Sequence, residues 1–153
     1  MRILIQRVSH ARVRVGGETI AEIGPGLLAF VGINERDTTD EARWMAEKVA
    51  QIRIFEDSGA SSAMLGKMNL SLEDTQGSAL VVSQFTLYGE LRKGNRPNFM
   101  AAAQPEKAEA MYEEFLGYLR DRLGAARVAS GRFRAKMSIE LINEGPVTLL
   151  LER

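Results

Sequence analysis

The chain is 153 residues long, with 20 Lys plus Arg, 20 Asp plus Glu, one His and no Cys, and 45% of it is hydrophobic. That is the make-up of one globular domain whose core needs neither disulfides nor a structural metal. The missing cysteines exclude a thiol nucleophile, a disulfide and Cys-ligated zinc or iron–sulfur, and His10 alone cannot build a multi-His metal cluster. Zero net charge argues against nucleic-acid binding through broad phosphate contact, although a short contact with a nucleic-acid end stays open. The opening MRILIQRV has no basic segment followed by a long apolar run, and no stretch approaches the roughly 20 apolar residues of a membrane span, so a cytoplasmic location is expected.

In chain order, Ile3–Val8, Val13–Val15 and Ile20–Ile23 predict short antiparallel strands separated by Ser9-His10, Gly16-Gly17 and Gly24-Pro25-Gly26, the glycine turns reading as hairpins. Leu27–Ile33 is apolar on both faces apart from Gly32, which fits a central strand covered on both sides. Thr38 and Glu41 form a capping-box pattern, and Ala42, Met45, Ala46, Val49 and Ile52 share one helical stripe, predicting a helix over about 39–51. Residues 56–62 read as a loop before a weak strand around Leu70 and Leu72, and Ala79–Leu87 as a strong strand.

Residues 89–98 are the longest irregular and most locally basic stretch. Pro105 opens a second helix whose stripe of Ala108, Met111, Tyr112, Phe115, Leu119 and Leu123 stops at Gly124. Met137, Ile139 and Leu141 then alternate up to a turn at 143–146, and Val147–Leu151 returns as a strand apolar on nearly both faces, to be buried inside the fold or by a second copy. The expected architecture is a single α+β domain over residues 1–153: a mostly antiparallel, barrel-like sheet with two main helices.

Three segments carry candidate chemistry. His10, with no carboxylate near it in sequence, reads as a turn histidine rather than a general base. Ser83-Gln84-Phe85-Thr86-Leu87 ends a buried strand with two hydroxyls and an amide beside a glycine-containing loop. These groups either satisfy neighbouring backbone or form an ester or amide site in which strand-end N–H groups stabilise an oxyanion. Asn143-Glu144-Gly145-Pro146-Val147-Thr148 reads as a turn, and its Gly-Pro bond is a candidate for the cis form.

Taken together these segments resemble the D-aminoacyl-tRNA deacylase (D-tyrosyl-tRNA deacylase) family. IQRVSHARVRVGG, IGPGLLAFVGI, RIFED, KMNLSL, VVSQFTLYG, KGNRPNF, SGRFRAKM and NEGPVT follow in family order over nearly the whole chain. Glu90, Asn98, Ser130 and Lys136 depart from the residues usual in the family.

The resemblance implies a homodimer, with its site at the subunit interface, that hydrolyses the ester joining a D-amino acid to the 3′ acceptor end of tRNA without metal or cofactor. It places the catalytic groups at Gln84, Phe85 and Thr86, with Gln84 and the backbone N–H groups around Phe85 and Thr86 polarising the carbonyl. Thr86 is either nucleophile or positioning group. Without an adjacent base an unactivated hydroxyl is a weak nucleophile, so the reading adopted is attack by water helped by the ribose 2′-hydroxyl.

Substrate binding falls to Ser83, Asn143, Gly145, Pro146 and Thr148. The resemblance also implies that Gly145-Pro146 is a cis dipeptide supplied by the partner, whose carbonyls would exclude L side chains and pass D-amino acids and glycine. Arg92, Lys93, Arg96, Arg132 and Arg134 either meet acceptor-end phosphates or form a solvated charged face. The rivals are a non-enzymatic tRNA- or ribosome-binding module, which binds without turnover, and an esterase for small free esters, which would need a nucleophile–base pair that the sequence lacks.

Overall fold

The computed structural model describes residues 1–57 and 67–153, so residues 58–62 of the expected 56–62 loop lie outside the described residues. Strand β1 (Arg2–Val15) is the axis of the architecture. One of its edges carries both β2 (Glu18–Ile23), beside Ala11–Val15, and β3 (Gly26–Gly32), beside Arg2–Val8, all antiparallel. The segments on either side of Ser9-His10 are therefore one continuous strand, and His10 pairs with Ile142 of the last strand instead of sitting in a turn. Gly16-Gly17 is the expected hairpin turn. Gly24-Pro25 is not, because β2 and β3 both pair with β1 and not with each other.

The sheet extends from β3 through β6 (Ser78–Ser83) to β7 (Val128–Ser130) by parallel pairing, while β8 (Met137–Glu152) lies antiparallel along the other edge of β1. The result is a mixed sheet curled nearly into a barrel. Gly26 is needed where β3 meets β6, since a Cβ there would stand 1.9 Å from the Ser78 carbonyl oxygen.

β3 behaves as its two apolar faces require. Leu27, Ala29 and Val31 enter one core with Ile3, Ile5 and the helices, while Leu28 enters a second with Val8, Ala11, Val13, Leu80 and Val82 inside the curl. Strand β1 crosses from one core to the other near Arg7 and Val8, which are both buried, and this break in its alternation coincides with shifts in its pairing with β8.

Helix α1 (Thr39–Gln51) occupies the predicted span, and Glu41 Oε2 accepts from the Thr38 N–H at 2.8 Å and from its hydroxyl at 2.6 Å. Ala42, Met45, Ala46 and Val49 are buried, whereas Ile52 lies just beyond the helix as its C-cap. A two-stranded sheet of β4 (Phe55–Glu56) and β5 (Met68–Leu70) follows, then a short helix α2 (Leu72–Thr75) capped by Ser71. Leu72 thus begins a helix rather than continuing the expected strand, because the Ser71 and Asp74 side chains take up the orphan donors of its first turn. Helix α3 (Pro105–Leu123) buries Met111, Tyr112, Phe115, Leu116, Leu119 and Leu123 against α1 and the sheet, roughly 1.5–3 kcal/mol for each large apolar side chain. No described helix is long and apolar enough to cross a membrane.

Candidate active site

The strand expected over 79–87 ends at Ser83, where the polar tail of the motif leaves the sheet. Gln84 donates its N–H to Val31 O at 2.7 Å, and Phe85–Tyr88 turn as a short 3-10 helix in which Leu87 N–H donates to Gln84 O at 3.2 Å. The first N–H groups of such a turn have no partner inside it. Those of Phe85 and Thr86 meet no acceptor among the described residues and remain available to a ligand.

Two neighbours missed from sequence brace this turn. Arg2 donates from Nη1 to Leu87 O at 2.9 Å while its guanidinium lies 4.7 Å over the Tyr88 ring, and Phe99 packs edge-to-face on Phe85 with ring centroids 5.1 Å apart.

Ser83, Gln84 and Phe85 line a cavity of about 430 Å³, closed on its other walls by Val31 within β3 and Ile33 just beyond it, Ala103 and Ala108 near the start of α3, Phe133, Arg134 and Ala135 before β8, and Met137 and Ile139 within it. The Gln84 carboxamide donates to the Thr86 hydroxyl oxygen. Among the described residues Thr86 has no His, Lys or carboxylate partner to take its hydroxyl proton. His10 is remote from this chemistry: its Nε2 lies 2.7 Å from Glu22 Oε1 across β1 and β2 and holds that carboxyl below the usual range. The carboxylate partner comes from the neighbouring strand, which is why sequence proximity did not reveal it.

The second motif is elsewhere on the chain. Residues expected to form a turn at 143–146 instead bulge out of β8: Val8 pairs with Asn143 and Gln6 with Thr148, so the intervening residues of β8 face Arg7 alone. The Gly145–Pro146 bond is cis. Asn143 spans the bulge, its Nδ2 donating to Arg7 O at 3.2 Å and to Val147 O at 3.1 Å, while Thr148 Oγ1 accepts from Gln6 Nε2 at 3.1 Å. A Cβ on Gly145 would lie 2.5 Å from Asn143 Oδ1, so any other residue there requires the Asn143 amide or the backbone to shift.

Arg7, 6% exposed, is the other support. It donates from Nε to Glu144 O at 3.0 Å and from Nη1 to Ile54 O at 2.5 Å. Nothing in a period-two strand marks it in advance. Asn143, Gly145, Pro146 and Thr148 do not line the Gln84 cavity of their own chain.

In the basic loop, Glu90 and Asn98 exchange backbone hydrogen bonds at 2.8 and 3.0 Å. The Arg92 side chain holds the Glu90 carboxyl down at about 2, and Arg92 is paired with that carboxylate. Among the described residues no three His, Cys, Asp or Glu side chains are grouped to hold a metal ion.

The family model described as D-Tyr-tRNA(Tyr) deacylase matches residues 4–152. Curated relatives include a D-aminoacyl-tRNA deacylase of Shouchella clausii, 55% identical over 99% of both chains, and one of Chloroherpeton thalassium, 52% identical over 99% of this chain and 95% of its own. Among solved structures, a c-Myc DNA unwinding element binding protein superposes with a TM-score of 0.92 at 39% identity over 100% of this chain and 99% of the other. A probable eukaryotic D-amino acid tRNA deacylase shares the fold, with a TM-score of 0.83 at 19% identity over 98% and 97% of the two chains. A match spanning residues 4–152, with half or more of the residues identical in these curated relatives, establishes that this chain belongs to the D-Tyr-tRNA(Tyr) deacylase family.

Proposed function

We propose that this protein hydrolyses the ester linking a D-amino acid, or glycine, to the terminal adenosine of tRNA, and that it works as a homodimer. The observation that carries the reading is the pair of N–H groups at Phe85 and Thr86 that have no acceptor among the described residues, beside the Gln84 amide and at the edge of a cavity whose other walls are apolar apart from Ser83 and Arg134. Donors fixed in this way stabilise the negative charge that builds on an ester oxygen without reorganising. The oxygen of water bonds to the carbonyl carbon and the carbonyl oxygen becomes an oxyanion held by these donors. The attacking water gives up one proton through the ribose 2′-hydroxyl, and as the intermediate collapses the ribose 3′-oxygen departs and takes that proton. Free tRNA and the amino acid are the products. Thr86 positions Gln84.

Gly145 and Pro146 of one subunit reach the Gln84 cavity of the other. Their backbone carbonyls face the substrate α-amino group and Cα and leave no room for a side chain of L configuration. A filter made of backbone touches no D side chain and so tolerates them all, while glycine passes for want of one. Two observations support the dimer: the bulge does not line the cavity of its own chain, and edge strand β8 leaves Ile142, Leu149 and Leu150 between 40% and 61% exposed. Sedimentation is expected to show one species of twice the monomer mass, and a fully active monomer would contradict the shared site.

No step in this chemistry requires a metal. Purified protein incubated with D-aminoacyl-tRNA and EDTA is expected to release amino acid at the rate seen without chelator. Loss of activity restored by one added metal would overturn the metal-free mechanism, and tRNA binding without turnover would favour a binding module.

A further inference from the structure

Between β7 and β8 the chain turns at Arg132–Ala135, where Ala135 N–H donates to Arg132 O at 3.2 Å. Side chains here alternate: Phe133, Ala135 and Met137 are half-buried and line the Gln84 cavity, while Arg132, Arg134 and Lys136 are exposed. Arg134 breaks the pattern, because it also lines that cavity while Arg132 and Lys136 do not. Its backbone is left-handed, with φ of 59°, a conformation costly for a residue with a Cβ and kept where the surroundings impose it. It is the one charged side chain among the residues lining the cavity. It makes no hydrogen bond or ion pair among the described residues, whereas Arg92 is spent on Glu90 and Arg12 on Glu140.

We propose that Arg134 is a specificity-determining residue that binds the phosphodiester on the 5′ side of the esterified nucleoside, so that the site prefers a polynucleotide end to a free aminoacyl nucleoside. This inference rests on the deacylase reading. An amino acid bound as an ester has no free carboxylate and carries a cationic amine, so the anion nearest the reacting ester is the phosphodiester one ribose away. A planar guanidinium with several unspent donors suits two phosphate oxygens. Among the described residues no other charged side chain lines the cavity to meet it.

The test compares D-tyrosyl-tRNA with D-tyrosyl-adenosine, which lacks the phosphate, as substrates of wild type, R134Q, R134K and R134G. R134Q is expected to raise KM for D-tyrosyl-tRNA about five- to tenfold with little change in kcat, and to lower the dependence of log KM on log salt by about 0.7, the value for one phosphate contact on a single strand. Its penalty on D-tyrosyl-adenosine should be at least threefold smaller. R134K should recover part of the loss. R134G, which suits the left-handed backbone but removes the charge, should resemble R134Q even if its melting temperature rises.

Equal penalties on the two substrates, or an R134G protein with wild-type KM and salt dependence on tRNA, would overturn the inference and leave the deacylase reading standing. Wild-type protein that turns over neither substrate would overturn both.

Discussion

Gln84→Ala is expected to lower kcat on D-tyrosyl-tRNA by roughly 10²–10³, the usual loss for one oxyanion donor, while Thr86→Ala stays within about tenfold of wild type. The contrast follows from the direction of a single hydrogen bond. Gln84 donates to the Thr86 hydroxyl oxygen, and among the described residues that hydroxyl has no base to take its proton; in the proposed mechanism Thr86 therefore orients the amide, whose second N–H serves the substrate. Loss of Thr86 loosens Gln84 but leaves the free N–H groups of the turn in place, because the turn is anchored by Gln84 N–H on Val31 O and by Arg2 on Leu87 O. Removing a true nucleophile instead costs about 10⁴–10⁶. Single-turnover rates of the two folded variants separate the mechanisms, and a Thr86→Ala enzyme as dead as one without its nucleophile would make the threonine the attacking group.

Gly145→Ala should lower kcat/KM for D-tyrosyl-tRNA by about a hundredfold and narrow the margin against the L substrate. The new Cβ would sit 2.5 Å from Asn143 Oδ1. Relieving that overlap must move an amide that ties Arg7 O to Val147 O, or push residue 145 away from a neighbour whose carbonyl is fixed by the buried Arg7 guanidinium. Either shift displaces the carbonyls proposed to face the substrate by several tenths of an ångström or more, and misplacement approaching 1 Å can cost about 10²-fold. The paired strand on both sides of the bulge is unaffected, so cooperative unfolding should persist. Measuring kcat/KM with both enantiomers, alongside thermal unfolding, checks this. Unaltered D activity and L rejection in a well-folded variant would remove Gly145 from the filter.

The helices and the central strand were legible because their signals are local. Thr38 with Glu41 marks a start, Pro105 and Gly124 bracket a stripe, and Leu27–Ile33 is apolar on both faces because each face meets its own core. Errors arose where pairing partners override local punctuation. Ser9-His10 looks like a break, yet β1 runs through it because β8 hydrogen-bonds alongside, and Asn143–Pro146 looks like a turn but is a bulge held between two paired stretches. The Ser83–Thr86 cluster stood out as polar groups at the end of an apolar strand. Its bend into a 3-10 turn and the closing of the cavity by Phe133–Met137 depend on contacts between residues about 50 apart. Arg2 and Arg7, which hold the two motifs in place, are ordinary arginines on an alternating strand until tertiary structure supplies the carbonyls they bind.

The most direct measurement is the rate of amino-acid release from D-tyrosyl-tRNA and from L-tyrosyl-tRNA by the purified wild-type protein, side by side and in EDTA. Fixed donors for the ester oxygen and a backbone filter against one enantiomer predict multiple turnovers on the D substrate, at least about a hundredfold faster than on the L substrate. Equal rates on the two enantiomers, or binding of D-tyrosyl-tRNA with no release above the spontaneous rate, would contradict it.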